Sequence, residues 1–150
     1  MKITPVKGTN DYLPNEVEIR DYLQNEILKV YVANGFEHIT TPIIEDIENL
    51  GKSDGGENLN LIFKIMKRGD KLEKAVSSLQ ENPKTGTACE NEIADMGLRY
   101  DLTLPLSRYI ANNQNELLMP MKCIQIDRVY RAETVSYTHL RAHETGRNLV

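Results

Sequence analysis

A bounded helical pattern followed directly by a β-branched run is the feature that most constrains how this chain can fold. Apolar side chains recur at helical spacing within residues 15–33, at Ile19, Leu23, Ile27, Val30 and Tyr31. Pro14 and Asn15 precede this helix, and Asn34-Gly35 follows it as a stop signal. Residues 36–44 (FEHITTPII) then have the composition of a strand. Because Pro42 cannot donate to a ladder, we expect it at a sheet edge or at an interface.

The remainder of the chain predicts strands and helices in mixed order. The expected succession is a loop at 50–60, a strand near 61–66 that turns at 68–70, a polar and irregular insertion over 71–95 after a short helical start, a strand at 98–102, a helix begun by Pro105 and a long strand at 121–131. This layout predicts an α+β fold, in which a mixed or antiparallel sheet is flanked by helices.

Composition narrows the class of protein. A chain of 150 residues is one domain's worth of material, and it carries no apolar run near the roughly 18 residues that a membrane span requires. Its start has no apolar secretory segment, and Cys89 and Cys123 are too few and too scattered for a disulfide framework or a zinc site. We therefore expect a cytoplasmic protein with no membrane partner. The net charge of −4 provides no general attraction to a polyanion, so any RNA contact is expected at one local site.

Polar side chains just before the Pro105 helix form a first candidate site. Side chains two apart on a strand share a face, so Arg99, Asp101 and Thr103 are expected to project together. A cation, an anion and a hydroxyl in one place suit an amino-acid zwitterion. The simpler interpretation, which spacing alone favours, is an exposed Arg99–Asp101 pair that contributes little to stability.

The predicted strand 121–131 offers a second candidate site. Ile124, Ile126 and Tyr130 share one face with Arg128 and are expected on the core side, whereas the opposite face is polar and carries Gln125, Asp127, Arg131 and Glu133. An ordinary solvated face explains this pattern about as well as a binding floor does. In the second case Arg131 offers a planar fork to phosphate or carboxylate oxygens.

Four segments carry a resemblance to a known family. Residues 35–43 (GFEHITTPI) resemble motif 1 of the class II aminoacyl-tRNA synthetases, and residues 129–133 (VYRAE) resemble the start of motif 2. Residues 7–14 (KGTNDYLP) resemble the N-terminus of the histidyl-tRNA synthetase family, and residues 98–105 (LRYDLTLP) resemble its amino-acid-binding strand. The segments follow the family's order and spacing and span most of residues 7–133.

This resemblance implies a histidine–tRNA ligase, which activates histidine with ATP and transfers it to tRNA-His. It implies that Asp101 and Thr103 hold the α-amino group of histidine. Arg131 would contact both the histidine carboxylate and the α-phosphate of ATP, and is the expected catalytic residue. Glu133 is expected on the ATP side, and Mg²⁺ is expected to arrive with ATP rather than in a protein metal site. The family pairs motif 1 strands across a two-fold axis, so we expect a homodimer with Pro42 in its interface.

The resemblance stops after Glu133. Residues 134–150 (TVSYTHLRAHETGRNLV) show no clear helix or strand period, and we interpret them as foreign to the fold, with His139 and His143 an incidental pair. Residues 1–133 are then the N-terminal part of a catalytic core cut inside motif 2, without motif 3, and are expected to be inactive alone. Two alternatives stay open: the non-catalytic regulatory subunit of ATP phosphoribosyltransferase, which tends to lose the motif 2 signature, and an α+β dimerisation module without a ligand.

Overall fold

The computed structural model describes residues 3–6, 8–51 and 61–132. The elements are, in chain order, α1 (Pro14–Ala33), β1 (Glu37–His38), β2 (Ile44–Asp46), α2 (Ile47–Gly51), β3 (Lys64–Met66), α3 (Asp70–Glu81), α4 (Thr87–Ile93), β4 (Ala94–Leu98), α5 (Thr103–Asn113) and β5 (Cys123–Ile124). Strands β1 and β5 form a parallel pair, and β2, β4 and β3 form an antiparallel sheet in that order. The α+β prediction is confirmed. Glu133, the interpretation of residues 134–150 and most of the 50–60 loop lie outside the described residues.

Helix α1 follows its local signals closely. It begins at Pro14 itself rather than after Asn15, and the Glu16 carboxylate accepts a hydrogen bond from the Leu13 backbone N–H at 2.8 Å. It ends at Ala33 with Asn34 as its C-cap, and Gly35 takes a φ of +81°, which turns the chain so that the Phe36 N–H reaches the Tyr31 carbonyl at 3.1 Å. The apolar stripe of α1 is exposed along its whole length in the described part of the chain.

The predicted single strand over 36–44 is wrong, because two strands in different sheets replace it. Strand β1 pairs with β5, whereas β2 pairs with β4, with Ile44 opposite Leu98. The chain must cross from one sheet to the other over residues 39–43, so these residues join no ladder. Pro42 is exposed within this crossing.

The interpretation of residues 71–95 as an irregular insertion is also wrong. They contain most of α3, all of α4 and the start of β4. Gly69 and Gly86 precede the two helices with φ values of +55° and +58°, a region that glycine adopts without strain. Leu72, Ala75 and Leu79 lie on the less exposed side of α3, so a helical spacing was present within the polar stretch.

The predicted strands at 98–102 and 121–131 are shorter than expected. Strand β4 ends at Leu98, and β5 covers only Cys123–Ile124. Beyond β5 the backbone bonds to two separate segments rather than to one partner strand: the Tyr130 N–H donates to the Arg99 carbonyl, and the Ala132 N–H donates to the Leu61 carbonyl, each at 2.9 Å. A continuous ladder does not form because no single strand runs alongside this segment in the described chain.

A small apolar core lies against one side of the three-stranded sheet. Leu50, Ile62 and Tyr100 form its centre, and Ile47, Leu61 and Leu104 pack around them. Leu50 and Gly51 belong to α2, so the predicted loop is wrong at these two residues. Gly97 on the central strand β4 gives this core room, since a Cβ there would lie 2.7 Å from Ile62 Cγ2 and 2.8 Å from Leu50 Cδ1. None of the described helices combines the length and the apolar character needed to span a membrane.

Candidate functional site

One arginine organises the polar centre of the described chain. Arg99 follows directly after β4, and its side chain has no exposed surface. Its Nη1 donates to the Thr41 carbonyl at 2.9 Å, to the Thr41 hydroxyl at 3.1 Å and to the Pro42 carbonyl at 3.3 Å. Its Nε donates to the Arg128 carbonyl at 2.9 Å. Arg99 therefore binds two segments that are far apart in sequence.

An acidic group completes the surroundings of this guanidinium. Nη2 of Arg99 lies 2.5 Å from Asp127 Oδ2, an ionic contact that is not aligned as a hydrogen bond. Burial raises the pKa of the Asp127 carboxyl, but the contact with Arg99 and the backbone hydrogen bond from Arg128 outweigh burial and lower it below its usual range. Gln125 Nε2 donates to the Thr41 hydroxyl at 2.8 Å. Gln125 and Asp127 thus face the same polar centre, as their predicted shared face requires.

Both interpretations of Arg99 made from the sequence are wrong. Arg99, Asp101 and Thr103 do not share a strand face, because β4 ends at Leu98 and Thr103 is the first residue of α5. Nor is Arg99 an exposed partner of Asp101, since it is buried against Asp127. Its donors point towards protein acceptors, so this side chain is unsuited to gripping a substrate. The spacing of residues 99, 101 and 103 was interpreted as that of a strand, but it did not show where the strand ends.

Asp101 and Thr103 lie where the chain turns into helix α5. Asp101 Oδ1 accepts a hydrogen bond from the Leu104 backbone N–H at 3.3 Å, the contact of a residue that helps to begin a helix. Thr103 is exposed, and its carbonyl accepts a hydrogen bond from the Ser107 hydroxyl at 3.0 Å. Asp101 is half-buried, so part of its surface is accessible to solvent.

Arg131 lies next to this turn. Its Nε donates to the Tyr100 carbonyl at 3.1 Å, although the two residues are 31 positions apart. The neighbouring Tyr130 N–H bonds the Arg99 carbonyl, so the segment that resembles motif 2 runs beside residues 99–101. Arg131 is exposed, and no described residue bonds its Nη1 or Nη2. A cation with two available donors therefore lies beside the turn that carries Asp101.

A second ion pair, which the sequence analysis missed, docks α5 onto the sheet. Arg108 Nε and Nη2 donate to Glu45 Oε2 and Oε1, each at 2.7 Å, in a two-point contact. The Glu45 side chain is 4% exposed and that of Arg108 28%, and the hydrogen bond to Glu45 raises the pKa of Arg108. The residues are 63 positions apart, and nothing in a single sequence signals such a pairing.

The described residues do not provide a metal cage. No group of three or more His, Cys, Asp or Glu side chains within 3–6, 8–51 and 61–132 is arranged to hold a metal ion. Cys123 is half-buried in the β1–β5 pair, and burial, with a contribution from Glu37, raises the pKa of its thiol. A raised pKa disfavours the reactive thiolate, so this cysteine is suited to packing.

Solved structures share this arrangement of helices and strands. Histidyl-tRNA synthetase from Nostoc sp. PCC 7120 superposes with a TM-score of 0.64 at 26% identity, over 88% of this chain and 26% of that one. An ATP phosphoribosyltransferase regulatory subunit/histidyl-tRNA synthetase from Bacillus halodurans C superposes with a TM-score of 0.61, over 86% of this chain and 29% of the other. At 19% identity the second likeness shows the fold alone. The fold is that of the class II aminoacyl-tRNA synthetases.

Sequence comparison narrows the class to one family. The profile described as histidyl-tRNA synthetase matches residues 8–78. Histidine–tRNA ligase from Azobacteroides pseudotrichonymphae genomovar. CFP2 is 38% identical over 132 residues, or 88% of this chain. A probable histidine–tRNA ligase from Tropheryma whipplei (strain Twist) is 40% identical over 133 residues, or 89% of this chain. The chain is therefore similar to the histidyl-tRNA synthetase family over most of its length, as its motifs predict. It spans 29% of the length of each of these two relatives.

Proposed function

We propose that this chain contributes the histidine- and ATP-facing part of a histidine–tRNA ligase site. The reaction is attack of a histidine carboxylate oxygen on the α-phosphorus of ATP, which forms histidyl-adenylate and releases pyrophosphate, followed by transfer of histidine to tRNA-His. The observation that carries the proposal is the 3.1 Å hydrogen bond from Arg131 Nε to the Tyr100 carbonyl. It brings the motif 2 arginine to the turn that carries Asp101 and Thr103.

The charges in this region suit the proposed substrates. Asp101 offers a carboxylate to the ammonium group of histidine, and the exposed Thr103 hydroxyl adds a neutral acceptor. Only Nε of Arg131 has a described acceptor, which leaves Nη1 and Nη2 without one among the described residues, and a guanidinium fork matches carboxylate and phosphate oxygens. Charge grows on the phosphate oxygens as the α-phosphorus becomes five-coordinate, so a fixed cation there stabilises the transition state.

Magnesium is proposed to enter with ATP. Mg²⁺ keeps several waters and is commonly held by substrate phosphates with one or two carboxylates. Asp101 directly follows Tyr100, whose carbonyl accepts the hydrogen bond from Arg131. We assign the Asp101 carboxylate to the ammonium group of histidine rather than to the metal. Glu133, proposed for the ATP side, lies outside the described residues. We also propose that the protein is a cytoplasmic homodimer with Pro42 in its interface.

Arg131→Ala is the decisive variant, and Arg128→Ala is its matched control. Both remove an exposed arginine from one segment, but the Arg128 side chain, unlike that of Arg131, forms no described hydrogen bond with residues 99–103. Residues 1–132 are joined in place of the matching N-terminal part of the A. pseudotrichonymphae ligase, and histidine-dependent ATP–pyrophosphate exchange is measured. We expect Arg131→Ala to lower the rate roughly 10²- to 10³-fold and Arg128→Ala to leave it near the parent. Equal rates in the two variants would exclude the proposed role of Arg131.

The 150-residue chain by itself is expected to show no exchange above its own Arg131→Ala variant. Several positioned groups act together in such a reaction, and the chain matches under a third of its relatives' length. Exchange well above that variant would show that the described half-site suffices. If the chain is instead part of a non-catalytic regulatory subunit, we expect no histidine-dependent exchange in the chimera.

A further inference from the structure

The Arg99 side chain contacts both segments proposed for function, the one that carries Pro42 and the one that carries Arg131. Its guanidinium binds the carbonyls of Thr41 and Pro42 on one side and the Arg128 carbonyl with the Asp127 carboxylate on the other. Its backbone repeats the link, since the Arg99 N–H donates to the Ile43 carbonyl at 3.0 Å and the Arg99 carbonyl accepts from Tyr130.

Few backbone hydrogen bonds fix the segment that carries Arg131, and its other described side-chain bonds to the rest of the chain run from Gln125 to Thr41 and from Arg131 to Tyr100. Strand β5 supplies only two residues of ladder, and after Ile124 the backbone is held by the isolated N–H donors of Tyr130 and Ala132. A segment with few backbone bonds opens at low free energy unless side chains hold it. The Arg99 fork supplies that hold at residues 127 and 128, three to four positions before Arg131.

A stabilising role alone does not explain the choice of an arginine here. Arg99 is fully buried and Asp127 partly so, and a buried ion pair is frequently no more stabilising than apolar side chains of the same volume. What an arginine adds is direction, because its donors leave a planar group at fixed angles and so fix the relative placement of several acceptors. The five polar contacts of this side chain, with Thr41, Pro42, Asp127 and Arg128, use that property.

We propose that Arg99 is a positioning residue, which acts through Asp127 and the Arg128 carbonyl to hold Arg131 beside the Asp101 turn. This inference rests on the proposed function only where it assumes that Arg131 contacts a substrate. The positioning itself is a property of the unliganded chain and is testable without histidine or ATP.

The test is native-state amide hydrogen exchange, followed by NMR on the 150-residue chain. Asp127→Asn removes the charge that faces Arg99, and Asp95→Asn is the matched control, because Asp95 has a similar side-chain exposure (28% against 27%) and also forms an ion pair, with Lys71. We expect Asp127→Asn to speed exchange of the Tyr130 and Ala132 amides by about tenfold or more, since it leaves the buried Arg99 cation without its counter-charge. The Leu98 amide, bonded to Phe63 within the sheet, is expected to keep its rate.

A second variant keeps the proposal decidable if Asp127→Asn fails to fold. Arg99→Lys retains the charge but loses the planar fork, so we expect the same local loss of protection at Tyr130 and Ala132. Unchanged protection at both amides in Arg99→Lys would overturn the proposal, because a point charge would then suffice. Equal acceleration at Leu98, Tyr130 and Ala132 would overturn it as well, because Arg99 would then stabilise the fold as a whole. Neither result depends on whether the chimera catalyses exchange.

Discussion

The Glu45–Arg108 pair makes a quantitative prediction about stability. Both contacts are 2.7 Å long and charge-assisted, and each such bond contributes roughly 1.5–3 kcal/mol. Losing one partner of a fully buried pair costs about 3–5 kcal/mol. Water still reaches part of Arg108, so we discount that figure. Arg108→Met leaves a buried carboxylate without its partner and is expected to lower the free energy of unfolding by about 3 kcal/mol. Glu45→Gln leaves a partly hydrated cation and is expected to lower it by roughly 1–2 kcal/mol.

A double-mutant cycle isolates the interaction. Urea unfolding of the parent, the two single variants and the double variant is followed by circular dichroism and extrapolated to water. We expect a coupling free energy of about 2 kcal/mol. The exposed Lys29–Glu26 pair in α1 serves as the control cycle and is expected below about 0.5 kcal/mol. A Glu45–Arg108 coupling as small as that of the control, or a costlier Glu45→Gln than Arg108→Met, would refute this account of how α5 is docked.

Three further predictions concern the core, the acid response and the terminal residues. Gly97→Ala is expected to cost about 1–3 kcal/mol in the same urea assay, because its Cβ would overlap Ile62 and Leu50, whereas Asn112→Ala on an exposed turn of α5 should change little. The folded pKa of Asp127 is lowered, so its contribution to stability is present above the unfolded value of about 3.9 and is lost as the pH falls through the folded value. The stability difference between parent and Asp127→Asn should therefore be full at neutral pH and shrink in acid, and a difference that stays constant would contradict the pairing. Deleting residues 134–150 should change stability by no more than about 0.5 kcal/mol, and a larger loss would show that they belong to the fold.

Local signals predicted α1 from the sequence, whereas the helical spacing of α3 was overlooked within a polar stretch. Helix α1 ends at the predicted stop before Asn34-Gly35, and it begins at Pro14, two residues before the predicted start. The strand patterns correctly marked extended chain, but they did not give strand lengths. A strand's length depends on its partner, and the partners of residues 36–44 and 121–131 are set by tertiary contacts.

The candidate site shows the same division. Polar periodicity correctly put Gln125 and Asp127 on one side, and the family resemblance selected Arg131 and Asp101, whose roles stay predictions. Arg99 was misassigned because a spacing of two is informative only inside a strand, and β4 ends one residue earlier. Glu45 and Arg108 were missed because a pair that is 63 residues apart leaves no trace in one sequence.

Arg99 also connects the proposed dimer interface at Pro42 with the proposed substrate site at Arg131. Its guanidinium is fully buried, so a donor that loses its acceptor has no water to replace it. Moving the Pro42 segment away would strand Nη1, and moving residues 127–128 away would strand Nε and the Asp127 contact. Either displacement alone is therefore costly, and the two segments are constrained to move together. If Pro42 lies in a homodimer interface, assembly and the placement of Arg131 are linked through this one side chain.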